Sequence, residues 1–426
     1  MRRRLAVVVI LYMIVVTMSV PGLATASSPA VPAKYREAAV EMGDWLVKNV
    51  DPGLGSWVTP WDPTRTDAVV SLYGVRQLKR LHDITGDKKY LDVAEKVMDQ
   101  WVKVAFVRDS ETAKGWTWAQ GERVGQLAWD EGELEKLVGA FVSGFGKSKD
   151  GGVWVHSAEV PFCAGVIKPL EAMLEFGDKY APEVSLVKRW LQADLADKMP
   201  ASGGSAHRAY MTAQTGADLD GDGLLEVEYK LWGSRRQSAG MNAKAIAPLL
   251  EIGMKDRALS LADWLMDVMW DGSTGRFNAV YDIDKGKSMC IKEAKDEGCV
   301  NAAVACGLMA AYKGSGDRKY LDRALQALDW VIENETNAIV TGHGVQIYFT
   351  KPTVYGTHQV VRAMCAAYNE TGRPKYLVYA IAGADWLLDQ MERPFAGFGN
   401  NAWSVIETLD AIQSVIELNL KDGAVK

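Results

Sequence analysis

The sequence has only five cysteines in 426 residues, too few for a disulfide scaffold, and its five histidines form no Cys/His spacing of a zinc site. Positive charge is not in excess. Lys and Arg number 48 against 54 Asp and Glu, a formal net charge of −6, which argues against nucleic acid or a polyanionic surface as the main partner. Proline is limited to 14 residues and charge to 24%, beside 48% hydrophobic content, so the chain is not of the disordered class and can bury a large core. Beyond Val20, no apolar stretch is long enough to cross a bilayer.

What is present begins with the N-terminus. Arg2, Arg3 and Arg4 precede an apolar run from Leu5 to Val20; Pro21 and Gly22 break it, and Ala24-Thr25-Ala26 supplies a small-x-small site. Residues 1–26 are therefore expected to be a cleaved signal peptide rather than a retained anchor. The mature chain would be secreted or otherwise extracytoplasmic, free of the membrane, and its charge would move from −6 to −9 as three arginines leave. Cys163, Cys306 and Cys365 fall inside apolar helical runs and read as core residues. Cys290 and Cys299 flank a charged loop and, in an exported protein, are expected to form a disulfide.

A repeated phrase organises the rest. It runs Gly86-Asp87-Lys88-Lys89-Tyr90-Leu91, Gly316-Asp317-Arg318-Lys319-Tyr320-Leu321 and Gly372-Arg373-Pro374-Lys375-Tyr376-Leu377. An amphipathic helix follows each copy and carries a late Trp; Asp44-Trp45, Asp263-Trp264, Asp329-Trp330 and Asp385-Trp386 mark these helices. Leu321, Ala324, Leu325 and Leu328 fall at i, i+3, i+4 and i+7, one apolar face with a charged back. Between them lie helices that are apolar nearly all round: Val300 to Ala311 carries no charge, and Gly356 to Ala367 and Val160 to Met173 are similar. One-faced and all-round apolar helices in alternation are what two concentric layers need. The expected hairpins are 33–50 with 64–84, 88–105 with 159–177, 182–198 with 236–253, 255–270 with 296–313, 317–334 with 353–371, and 373–392 with 399–418. The long insertions 106–158, 199–235, 271–295 and 335–352 would gather at one end, where the inner helices begin. An extra amphipathic helix is expected near 131–145.

Hairpins of this kind with a "GDxKYL" turn resemble the (α/α)6 toroid, or six-hairpin glycosidase-like, superfamily. The resemblance covers nearly all of 27–426, read as one all-α domain. It implies a fold shared by glycoside hydrolases, polysaccharide lyases and uronate or aminosugar epimerases. The phrase marks the fold and not the reaction.

Inner-helix N-termini direct free N–H groups towards the loop end. The residues just before and inside those first turns are the substrate-binding candidates: Trp61, Asp62, His156, Arg235, Arg236, Asn242, Asn301, Asn401 and Trp403. Trp57, Trp116, Trp118, Trp129, Trp154 and Trp232 lie in or beside the loops as further flat faces for sugar rings. Hydrolysis of a glycoside needs two carboxylic groups. Asp67, Asp130, Glu131 and Glu159 are the candidates, with Trp129-Asp130-Glu131 the most pointed segment because a carboxyl beside Trp is desolvated. Asp67 equally suits a helix cap. Lyase or epimerase chemistry instead needs a base such as Tyr or His, and Tyr355 and His358 share one helix face. The leading expectation is a glycoside hydrolase acting on an oligo- or polysaccharide. The alternatives are a lyase or epimerase, and a non-catalytic glycan-binding protein. Finally, Asp218, Asp220 and Asp222 with Gly223, the Leu224 carbonyl and Glu226 have the oxygen spacing of a calcium loop, which is expected to bind a structural Ca²⁺.

Overall fold

A computed structural model of the chain describes residues 32–423 apart from 61, 121–122, 126, 129–134, 136, 148–152, 157–165, 193–204, 207–208, 211–214, 218–224, 229–235, 283–284, 290–296, 343 and 393–400. The helices are α1 (Ala33–Lys48), α2 (Ala68–Thr85), α3 (Lys88–Val104), the short α4 (Ser110–Lys114), α5 (Lys168–Leu174), α6 (Ala181–Gln192) and α7 (Ala239–Glu251). They continue with α8 (Lys255–Trp264), α9 (Glu297–Ser315), α10 (Arg318–Asn334), α11 (Val354–Thr371), α12 (Pro374–Glu392) and α13 (Ala402–Gly423). Apart from α4 they alternate between an outer and an inner layer. The closest packing between the layers joins an inner helix to the outer helix that follows it across a short turn, α2 to α3, α7 to α8, α9 to α10 and α11 to α12, and not, as expected, an outer helix to the next inner one. No described helix is long and apolar enough to cross a membrane.

The repeated phrase is a helix stop followed by a helix start. Gly86, Gly316 and Gly372 end α2, α9 and α11 in the left-handed region, at φ 74°, 76° and 63°, where a side chain would be strained. Asp87 and Asp317 then cap the next outer helix by accepting from Lys89 N and Lys319 N, both at 3.0 Å. In the third copy Pro374 opens α12 instead, where its missing N–H costs nothing.

The Lys-Tyr of the phrase has a second task. Its tyrosine donates to an aspartate on the preceding outer helix: Tyr90 to Asp44 at 2.7 Å, Tyr320 to Asp263 at 2.8 Å, Tyr376 to Asp329 at 2.9 Å. The neighbouring lysine pairs with the same carboxylate in each case. Two more joints use the same dipeptide: Lys179-Tyr180 grips Asp99 of α3, and Lys34-Tyr35 of α1 grips Asp385 of α12. The last joint fastens the first outer helix to the last. Inside it, α13 packs on both α1 and α2. The helices therefore close into a ring and do not continue as an open array.

The insertions fold as small sheets. Arg65–Asp67 pairs antiparallel with Gly144–Lys147, the outermost pair of a five-stranded sheet that also holds Val153–His156, Trp118–Gln120 and Arg123–Gly125. Thr336–Thr341 and Gly344–Phe349 form a hairpin ahead of α11. The expected helix near 131–145 does not extend through its second half. Gly139 takes φ 100°, and Ala140 to Phe145 are buried in extended or irregular backbone. Phe141 there bridges to Phe106, and pairing with Arg65–Asp67 satisfies backbone groups that a buried helix end would leave open.

Candidate active site

The inner wall is not apolar, contrary to the reading of α5 and α11 as apolar nearly all round. Asp410 of α13 accepts from Tyr73 of α2 and pairs with Arg80 Nη1 at 2.6 Å and Arg362 Nε of α11 at 2.8 Å. α13 lies between α2 and α11 in the ring order, so the 3.3 Å contact from Arg362 to the Tyr73 hydroxyl crosses the interior. On α5, Glu171 pairs with Lys168 at 2.9 Å and Arg76 at 3.2 Å, and Arg76 reaches Glu175 at 2.9 Å. Lys168 lies 4.2 Å over the Tyr73 ring. Desolvation pushes both acids up, but their cations outweigh it. Lys168 and Arg76 hold Glu171 at about 2, and Arg362 and Arg80 hold Asp410 well below the carboxylate range.

Towards the loop end this ionic stack gives way to aromatic and neutral groups. Tyr355 and Trp403, one residue inside α11 and α13, are half-buried with ring centres 6.3 Å apart and planes tilted by 34°. His358 lies one turn further in, 5.8 Å from the Tyr355 ring and 6.3 Å from the Tyr73 ring. It is fully buried, which drives its pKa down to about 3. Its contacts suit the neutral ring: Nε2 accepts from Gln359 at 2.8 Å, and Nδ1 donates towards the Val354 carbonyl at 3.3 Å. Glu407 of α13 is 2% exposed and accepts a hydrogen bond from Trp403. Its Oε2 has no hydrogen-bond partner and lies 3.8 Å from His358 Nδ1. That distance is too long for a hydrogen bond, and two groups both pushed towards neutrality are not an ion pair. Burial raises Glu407 well above the carboxylate range, with Lys244 of α7 pulling only partly the other way.

Several sequence candidates have local bonds at the starts of inner helices. Asp67 caps α2 by accepting from Val70 N at 2.9 Å, and Asn401 caps α13 by accepting from Ser404 N at 3.0 Å. Asn242 donates to the Ser238 carbonyl at 2.9 Å, and Asn301 accepts from Phe277 N at 2.8 Å, tying an insertion strand to α9. Asp62 accepts from Thr64 N at 2.9 Å within a turn. Among the loop tryptophans, Trp57 is a core residue, 0% exposed with its N–H on the Leu46 carbonyl, so it offers no face to a sugar. Trp154 is also buried, against Gly146. Cys299 is buried on α9 and Cys365 on α11, while Cys306 is partly buried.

Other candidates lie outside the described residues: Trp61, Trp129, Asp130, Glu131, Glu159, Cys163, Trp232, Arg235, Cys290 and the calcium-loop residues Asp218, Asp220, Asp222 and Leu224. For His156, Arg236 and Glu226 the backbone alone is described, each in a strand. Glu407, Lys168 and Asp410 were not among the sequence candidates. The available signal was a charge on a helix with no solvated face, which in a closed ring has only the interior to face.

No family model matches the chain, and no curated protein matches it. Solved structures do. A family 76 glycoside hydrolase (mannosidase) from Bacteroides thetaiotaomicron is 10% identical, with a TM-score of 0.58 over 92% of this chain and 100% of that one. An α-1,6-mannanase of Salegentibacter sp., in complex with α-1,6-mannotetrose, is 12% identical, with a TM-score of 0.52 over 90% and 99%. Cellobiose 2-epimerase from Bacillus thermoamylovorans is 11% identical, with a TM-score of 0.58 over 89% and 99%. At such identities the likeness speaks for architecture alone: this chain has the (α/α)6 toroid fold.

Proposed function

We propose that this protein is a carbohydrate-active enzyme, a glycoside hydrolase whose site is the loop end of the ring. The observation that carries the reading is the change in character along the interior. A compensated ionic stack ends in half-buried Tyr355 and Trp403 beside His358 and Glu407, both pushed towards neutrality by burial, the mixture of flat faces and polar groups that a sugar ring requires. For the reaction itself, Asp130 and Glu131 are the assigned carboxyl pair. Support comes from an inactive variant of the Salegentibacter mannanase in which two consecutive aspartates are replaced, a pattern that this consecutive pair resembles. Incubation of the mature protein with α-1,6-mannan is expected to release new reducing ends. Replacing Asp130 and Glu131 by Asn and Gln should lower that rate by about a hundredfold or more. Undiminished release by the double variant would exclude the pair.

A second reading, a sugar epimerase, is supported by Tyr355 and His358 lying in contact at the same end, a base-and-acid pair of the right types. It predicts a changed sugar configuration and no new reducing ends. Saccharide binding with neither product would leave a glycan-binding protein.

We also propose export through cleavage after Ala26, a Cys290–Cys299 disulfide, and Ca²⁺ held by Asp218, Asp220, Asp222, the Leu224 carbonyl and Glu226. The strands flanking the calcium loop pair antiparallel with Ala217 opposite Glu226, so the loop's two ends are held together, as a chelating loop requires. Isothermal titration of the mature protein with CaCl₂ is expected to give one site, lost in Asp220→Ala. A flat titration of the unmodified protein would remove the assignment.

A further inference from the structure

A carboxyl group buried in a protein interior is costly unless its oxygens are bonded or its proton is retained. Asp410 meets the first condition through three partners. Glu407, three residues earlier on the same face of α13, does not. One oxygen takes the Trp403 indole N–H, and Oε2 is left without a protein partner. The orphan is not isolated. Ser404 Oγ and Thr408 Oγ1, at i−3 and i+1 from Glu407 and also buried, lack hydrogen-bond partners as well. These three groups fall within five residues of one helix, and native interiors normally satisfy groups of this kind. Ser404 directly follows the half-buried Trp403, and Glu407 and Thr408 lie one turn further along α13, where Glu407 comes within 3.8 Å of His358 beneath Tyr355.

We propose that Glu407 is a substrate-binding residue: Oε2 hydrogen-bonds a hydroxyl of the saccharide, while the other oxygen fixes Trp403 as the face on which the same sugar ring rests. This assignment rests on the carbohydrate reading above and names a residue that reading leaves open. The titratable and charged groups that act on Glu407 are Lys168 on α5, Lys244 on α7 and Asp410 on its own helix, with His358 of α11 3.8 Å away. None of them supplies Oε2 with a hydrogen bond. A carboxyl that keeps its proton donates through Oε2, as a Gln amide in the same place would and a Leu side chain would not.

The test uses the mature protein with Glu407→Gln and Glu407→Leu, titrated calorimetrically with α-1,6-mannotetraose. The Gln variant is expected to bind within about threefold of the unmodified protein, and the Leu variant about tenfold more weakly. The affinity of the unmodified protein should fall as pH is raised and Glu407 ionises, and that of the Gln variant should not. A purely structural carboxyl predicts that the Gln variant melts lower at pH 8; this proposal predicts that it melts at the same temperature or higher. Equal binding by the Leu variant, or a lower melting temperature for the Gln variant, overturns the assignment and leaves the hydrolase reading standing. No binding by the unmodified protein overturns both.

Discussion

Two carboxyl groups three residues apart on α13 are driven in opposite directions by their surroundings. Burial acts on both. Around Asp410 the guanidinium groups of Arg362 and Arg80 outweigh it, while around Glu407 no cation is bonded and burial prevails. Separated protonation states of this kind are how one site keeps an anion and a neutral acid at the same pH. The consequence for stability differs in sign. The folded pKa of Asp410 is depressed, so its contribution is complete above the unfolded value of about 3.9 and fades as pH falls below it. Asp410→Asn should therefore cost roughly 3 kcal/mol at pH 7, because it leaves Arg362 and Arg80 without their buried partner, and the difference should shrink below about pH 4. Urea unfolding at pH 7 and pH 3.5 measures both. The folded pKa of Glu407 is raised, so it penalises the folded state once pH exceeds the unfolded value of about 4.3, which is why its removal is expected not to destabilise the protein at pH 8.

At the scale of elements, the phrase that marks each outer helix proves to be a joint. Its Gly and Asp halves are local, since they end one helix and cap the next, and both are legible from spacing alone. Its Lys-Tyr half is not local, since it reaches an aspartate dozens of residues earlier, and only packing reveals the partner. The joint also explains Lys179-Tyr180 after Gly177-Asp178 and Lys34-Tyr35 at the start of α1, copies too abbreviated to be found by pattern. Between α6 and α8 the described residues have no Tyr–Asp joint; Lys188 donates instead to the Ile252 carbonyl at 2.8 Å. Tyr320→Phe should cost about 1 kcal/mol, the net worth of one part-buried hydrogen bond, with the ring face still packed. Denaturant titration reads that difference, and a loss above about 3 kcal/mol would mean that the tyrosine does more than join two helices.

At the scale of the molecule, closure is what turns a list of hairpins into a site. The paired periodicities separated inner from outer helices, and helix limits in the structure fall within a few residues of those expected for most pairs. This much is local chemistry: apolar spacing, Gly stops, Asp and Pro starts. The lapses share one cause. The second half of the expected helix near 131–145 is turn and irregular backbone ending in strand at Gly144, because β pairing with Arg65–Asp67 overrides a helical pattern. Trp57 reads as a sugar platform in sequence and is core in the structure because α1 and α3 close over it, with Leu46 taking its N–H and Trp101 packed nearby. The interior charges of α5, α11 and α13 are sparse on helices that read as inner layer in sequence, and beyond Lys168 with Glu171 nothing local gives them a partner. In a ring they have nowhere to point but inwards, where they find one another across four helices. The sequence by itself determined the alternating hairpins and the end at which the inner helices begin, because caps and periodicity act over a turn or two. Which carboxyl is held ionised, which is pushed towards neutrality and which tryptophan is left half-buried depended on residues more than 300 positions apart meeting at one interior, as Tyr73 and Asp410 do, and only the closed tertiary structure decided it.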